Sequence, residues 1–176
     1  MTVLFLALGA LLGASPAPAA NPALDDATIV AIFDAANGYD IETSKLALEK
    51  SQTKAVRDLA QQFSHDHAAV RQQGRELAKK LNVTPTPPKE NPLAHDHEQA
   101  LKNLKTKKGA EFDRAYVDEE IRYHQAVLDA VSSTLLPAIK NAELKAFVEK
   151  VGPAFQGHLE AAKQLQKQLA QTTAGK

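Results

Sequence analysis

The sequence predicts an all-α domain built as a four-helix bundle, and three observations carry that prediction. Ala, Leu, Lys, Gln and Glu dominate, while aromatic residues make up only 5% and Trp is absent, a composition that favours helices over strands. Apolar residues recur at three- and four-residue spacing through four long stretches, the period of one buried helix face. Proline and short polar breaks fall between those stretches rather than inside most of them.

Asp25 and Asp26 open the first stretch, which runs to about Lys50 and carries acids where free helical N–H groups need partners. Ser51 to Thr53 interrupt it. The second stretch, Lys54 to Leu81, has the clearest stripe: Val56, Leu59, Phe63, Val70, Leu77 and Leu81, with His67 and Gly74 filling the remaining steps. Pro85, Pro87, Pro88 and Pro92 then enforce an extended connector, followed by a short helix from His95 to Lys107 that ends near Gly109. A third long helix from Ala110 carries Phe112, Val117, Ile121, Leu128, Val131 and Leu135, and Pro137 closes it. The fourth, from about Asn141 to Leu169, presents Leu144, Val148, Val151, Phe155, Leu165 and Leu169, with Pro153 as a possible kink. One long crossover between the second and third long helices, holding a short extra helix, favours a ferritin-like topology over a simple up-down meander.

With 176 residues, the chain has the size of one domain once a targeting segment is set aside. Val3 to Leu12 form an apolar run too short to span a bilayer, and Ala17-x-Ala19 offers small residues where a signal peptidase cuts. The expectation is a signal peptide over residues 1–19 and an exported bundle over 20–176, without a transmembrane helix in the mature chain. No Lys or Arg precedes the apolar run, which makes the signal atypical.

Charge excludes several function classes. Lys plus Arg and Asp plus Glu both total 21, so no net field draws in nucleic acid or an anionic surface. Nucleoside-phosphate loops, Gly-x-Ser-x-Gly elbows and basic patches interleaved with aromatics are absent. Cysteine is also absent and Met1 is the single methionine, so soft-ligand sites, iron–sulfur clusters among them, are excluded, and haem is not expected.

What remains is a set of histidines. His67, His124 and His158 fall on the apolar stripes near the middle of the second, third and fourth long helices, whereas His65, His95 and His97 lie off them and are expected to be solvated. On the first helix, Tyr39, Glu42 and Leu46 share a face, which places the Glu42 carboxylate at the same level. The candidate metal ligands are therefore Glu42, His67, His124 and His158, with Asp66, Tyr39, Tyr116 and Glu120 as outer partners. One divalent Zn, Fe, Mn or Ni suits that donor set. A structural or partner-binding periplasmic module whose buried histidine network is metal-free is the competing reading, and a metal-dependent enzyme is a third.

Four segments resemble one family: Ile41-Glu42-x-x-x-Leu46-Ala47-Leu48, Phe63-Ser64-His65-Asp66-His67, Phe112-Asp113-x-x-Tyr116 leading to His124, and Pro153-x-x-x-x-His158-Leu159. They are similar to members of the domain-of-unknown-function 4142 family, over about Asp25 to Leu169. The resemblance implies a ferritin-like bundle in an exported bacterial protein, periplasmic or associated with the outer membrane, and no assigned activity. It also implies that Glu42, Asp66, His67, His124 and His158 are the recurrent polar positions. Di-iron bundles place Glu three residues before each metal-binding His, but Ser64, Ile121 and Phe155 stand there. A carboxylate-bridged di-iron centre is therefore not expected.

Overall fold

A computed structural model describes residues 24–174 of the chain, with side chains to residue 171; the signal-peptide expectation for residues 1–19 lies outside the described residues. Every regular element among them is helical: α1 (Asp26–Lys50), α2 (Lys54–Lys80), α3 (Pro92–Thr106), α4 (Gly109–Ala130) and α5 (Ala142–Ala174). A π-helical turn, Val131–Leu135, and a last short turn, Leu136–Ala138, extend α4 to its end.

Local chemistry sets the boundaries. The Asp25 side chain accepts the Thr28 N–H at 2.8 Å and caps α1. Asn91 accepts the Ala94 N–H at 3.1 Å, with Pro92 at the first helical position of α3, where a missing N–H costs nothing. Asn141 caps α5 through the N–H groups of Glu143 and Leu144. Pro153 sits inside α5 without ending it. The α1–α2 turn is tied to α4 by Asp113, which accepts from Ser51 Oγ at 2.6 Å and Thr53 Oγ1 at 2.5 Å.

The packing gives the topology. α1 lies along α2 and α4 lies along α5, while α2 against α5 and α1 against α4 close the bundle. Two apolar clusters mark its ends. One gathers the start of α1 (Ile29, Phe33), the later part of α2 (Val70, Ala78), the π turn (Val131, Leu135) and the start of α5 (Leu144, Val148). The other gathers the end of α1 (Ala47), the start of α2 (Val56, Phe63), the start of α4 (Phe112, Tyr116) and the late part of α5 (Ala162, Leu165). So α1 and α5 run one way and α2 and α4 the other. The connector holding α3 must travel the length of the bundle to make α2 and α4 parallel, which is the ferritin-like arrangement.

Between the two clusters lies a polar layer: Asn37, Asp40 and Ser44 from α1, His67 from α2, Glu120 and His124 from α4, and His158 from α5, each at most 4% exposed. No described helix is long and apolar enough to cross a membrane.

Candidate metal centre

Helical spacing delivers the three imidazoles. His67 follows Phe63 and precedes Val70, His124 follows Val117, and His158 stands between Phe155 and Ala162, so each continues a buried stripe. Phe63 stacks on His158 with ring centroids 4.3 Å apart, and Phe155 lies parallel to His67 at 5.0 Å. Both rings therefore rest on apolar faces. His67 Nε2 lies 3.3 Å from His124 Nε2 and 3.3 Å from His158 Nδ1.

The carboxylate in this layer is Asp40, and not Glu42. Asp40 Oδ2 is 3.4 Å from His67 Nε2 and 3.6 Å from His124 Nε2. The Glu42 side chain is 61% exposed and bonds His97 Nε2 at 3.0 Å on the outside of α1. The reason is rotational. The buried stripe of α1 runs Ile29, Phe33, Asn37, Asp40, Ser44, Ala47, steps of three and four that turn polar half-way, and that stripe puts Glu42 outside. Tyr39 and Leu46, the apolar residues that share a face with Glu42, lie off that stripe. Extending the Ile29–Phe33 ladder through its polar members would have found Asp40.

His97 is a second correction. It is buried, because α3 lies against α1 and stacks the imidazole on Tyr39 with centroids 4.4 Å apart. His65 and His95 are exposed, as expected. Of the outer partners named from sequence, Asp66 reaches the cluster directly, with Oδ2 3.1 Å from His158 Nε2. Tyr116 is buried and meets Ser44 Oγ at 3.4 Å, and Ser44 in turn reaches Asp40 Oδ1 at 3.4 Å. Tyr39 stays at the rim, on His97.

Each imidazole is held by one outward hydrogen bond, and those bonds fix the tautomers. His67 Nδ1–H donates to Asn37 Oδ1 at 3.0 Å, since the Asn37 amide nitrogen is already donating to Phe33 O. His124 Nδ1–H donates to the Glu120 carbonyl at 2.9 Å. His158 Nε2–H donates to Asp66. In every case the remaining ring nitrogen carries a lone pair, and all three lone pairs face one another. Asp40 Oδ2 faces them too and receives no well-formed hydrogen bond, nor does either carboxylate oxygen of Glu120, although the two acids lie close enough to share a proton.

Electrostatics follow from burial. Desolvation holds the imidazoles of His67 and His158 below the ordinary histidine range and brings His124 down to about 4. For His67, the neighbouring imidazoles add to the effect. Desolvation pushes Asp40 and Glu120 in the opposite direction, and the Asp40 charge raises Glu120 further. Asp66 differs: burial pushes it up, but hydrogen bonds from His65 and His158 outweigh that and leave it below the usual carboxylate range. The chemistry available is ligation. His67, His124 and His158 could hold a metal, as could Asp40, Glu120 and His124, with ligand atoms within 4.8 Å of one another in each group.

The family model for a domain of unknown function, DUF4142, matches residues 13–165. The chain belongs to this family. No curated protein matches it. Among solved structures, a DUF305 fragment from Deinococcus radiodurans is similar at TM-score 0.71 and 18% identity, covering 86% of this chain and 99% of that one. CopM in its Cu(II)-bound form is similar at TM-score 0.63 and 16% identity, covering 82% of this chain and 98% of that one. At such identities the likeness establishes the ferritin-like bundle that the DUF4142 chain shares with them.

Proposed function

We propose that this DUF4142 protein binds one divalent transition metal at mid-bundle, through His67 Nε2, His124 Nε2, His158 Nδ1 and Asp40 Oδ2. The observation that carries the reading is the convergence of four lone-pair atoms with no hydrogen between them. Four of their six separations, at 3.3, 3.3, 3.4 and 3.6 Å, suit donors around one ion. Bonds of about 2.0–2.1 Å set tetrahedral donors about 3.3–3.4 Å apart. Without a cation, four acceptors face one another in an apolar interior, an arrangement that at best one proton on Asp40 relieves in part.

The outer shell supports the same reading. Metal-bound imidazoles commonly donate their second N–H to a carboxylate, a carbonyl or another polar acceptor, which orients the ring and raises its basicity. Asp66, the Glu120 carbonyl and Asn37 supply one such acceptor each. Imidazole and carboxylate together suit Zn, Fe, Mn or Ni by ligand type. Cu(II) joins them, since a protein of similar fold is described in a Cu(II)-bound form. On the strength of Val3–Leu12 and the Ala17-x-Ala19 signal, the reading assigns the protein an exported, periplasmic setting, where it binds metal rather than turning over a substrate.

Titration calorimetry on chelator-stripped protein tests this. One ion per chain is expected, lost in His158→Ala and retained in Glu42→Gln, whose side chain faces solvent and His97. Absence of binding by all five metals would refute the reading and leave the polar layer as a device that sets helix register.

A further inference from the structure

Glu120 has no place in the four-donor set, yet it is 1% exposed and neither of its carboxylate oxygens receives a well-formed hydrogen bond, with Asp40 and Tyr116 as its polar neighbours. Its backbone carbonyl already holds His124 Nδ1–H, and its side chain lies 3.5 Å from the same nitrogen. Ligand atoms of Asp40, Glu120 and His124 fall within 4.8 Å of one another, and two of these residues belong to the proposed centre.

Building on that centre, we propose that Glu120 is a fifth ligand of the same ion, so that three imidazoles and two carboxylates hold a single divalent cation with no net charge. Two arguments lead there. The first is charge. A divalent ion with neutral His67, His124 and His158 and one carboxylate leaves a net positive charge within the ligand set, which the partly exposed Asp66 offsets only from beyond His158. A second carboxylate cancels it. Two ions sharing the same two carboxylates would leave twice that excess, so the layer suits one ion only.

The second argument is geometric. Donors opposite one another around an ion with bonds of about 2.1 Å are about 4.2 Å apart, and donors in a trigonal plane about 3.6 Å. The ligand atoms of Asp40, Glu120 and His124 lie within 4.8 Å of one another, close to the span of opposite donors, so a small side-chain adjustment lets a Glu120 oxygen join the set.

The test is the visible spectrum and stoichiometry of the full chain loaded with Co(II). Wild-type protein is expected to bind one Co(II) with the weak bands of five-coordination. Glu120→Gln is expected to bind one Co(II) at least tenfold more weakly and to show the intense bands of a tetrahedral site. An unchanged spectrum and affinity in Glu120→Gln, or two Co(II) per wild-type chain, would overturn the proposal. Should that variant fail to fold, intense tetrahedral bands in the wild type overturn it and weak ones support it. Failure of the wild type to bind Co(II) at all removes the centre itself, a separate result.

Discussion

Replacing Asp40 by Asn separates a metal centre from a structural network, because the two readings give stability changes of opposite sign in the metal-free protein. Asp40 Oδ2 is buried without a well-formed hydrogen bond and faces the lone pairs of His67 and His124 at 3.4 and 3.6 Å. An amide nitrogen there can donate to one or both, replacing an acceptor–acceptor contact by a hydrogen bond. Relief of one buried unsatisfied group is worth about 1–3 kcal/mol, so metal-free Asp40→Asn should melt higher than metal-free wild type. For a domain of this size that is about 2–4 °C per kcal/mol. With metal the wild type gains more. An ion at 100 times its dissociation constant adds about 2.7 kcal/mol to the wild type. If loss of the charged ligand weakens binding about 100-fold, the upper end of what outer-shell changes alone produce, the same concentration adds only about 0.4 kcal/mol to the variant. The assay is a pair of thermal melts for each protein, with chelator and with metal. Destabilisation of Asp40→Asn in chelator, together with an undiminished metal shift, would refute the reasoning.

Two further outcomes follow from the same geometry. Asp66→Asn should weaken metal affinity about 10- to 100-fold with little change in the metal-free melt, since Asp66 is partly exposed and acts by holding the His158 tautomer; calorimetric affinity checks this, and an unchanged value would refute it. Acid should destabilise the metal-free protein through the imidazoles: their folded pKa values lie below the unfolded value of about 6.5, so the unfolded state binds more protons and stability falls as pH drops below that value. Asp40 and Glu120 act oppositely, because their folded pKa values are raised: they favour the folded state in acid, and that contribution is lost as pH rises from about 4 through the folded values. The Asp40→Asn, Glu120→Gln double variant should therefore show the larger loss of melting temperature between pH 6.5 and 4.5, and a loss no greater than the wild type's would count against this balance.

Much of the fold was legible along the chain because helices announce themselves through local signals. The stripe Val56, Leu59, Phe63, Val70 fixes α2 without any knowledge of its neighbours, and the four prolines after it require a crossover. The same periodicity found His67, His124 and His158, because each interrupts an otherwise apolar ladder. It failed on α1, where polar groups lie on both the buried and the exposed faces: Asp34 pairs with Arg71 and Arg75 outside, while Asn37 and Asp40 point inside. Apolar periodicity cannot orient such a helix. His97 was misjudged for a related reason, since its burial depends on where α3 docks across α1.

The sequence by itself therefore determined the all-helical class, the starts of the long helices, the crossover and the three histidines, all consequences of propensity, capping and spacing within a single segment. The crossover helix starts at Pro92 rather than His95, and the last helix runs to Ala174 rather than Leu169. Tertiary structure alone decided that Asp40 and Glu120, rather than Glu42, complete the layer, and that three outward hydrogen bonds aim three lone pairs at one point. Those facts depend on the rotation of each helix about its axis, and only packing against the other three helices sets that rotation.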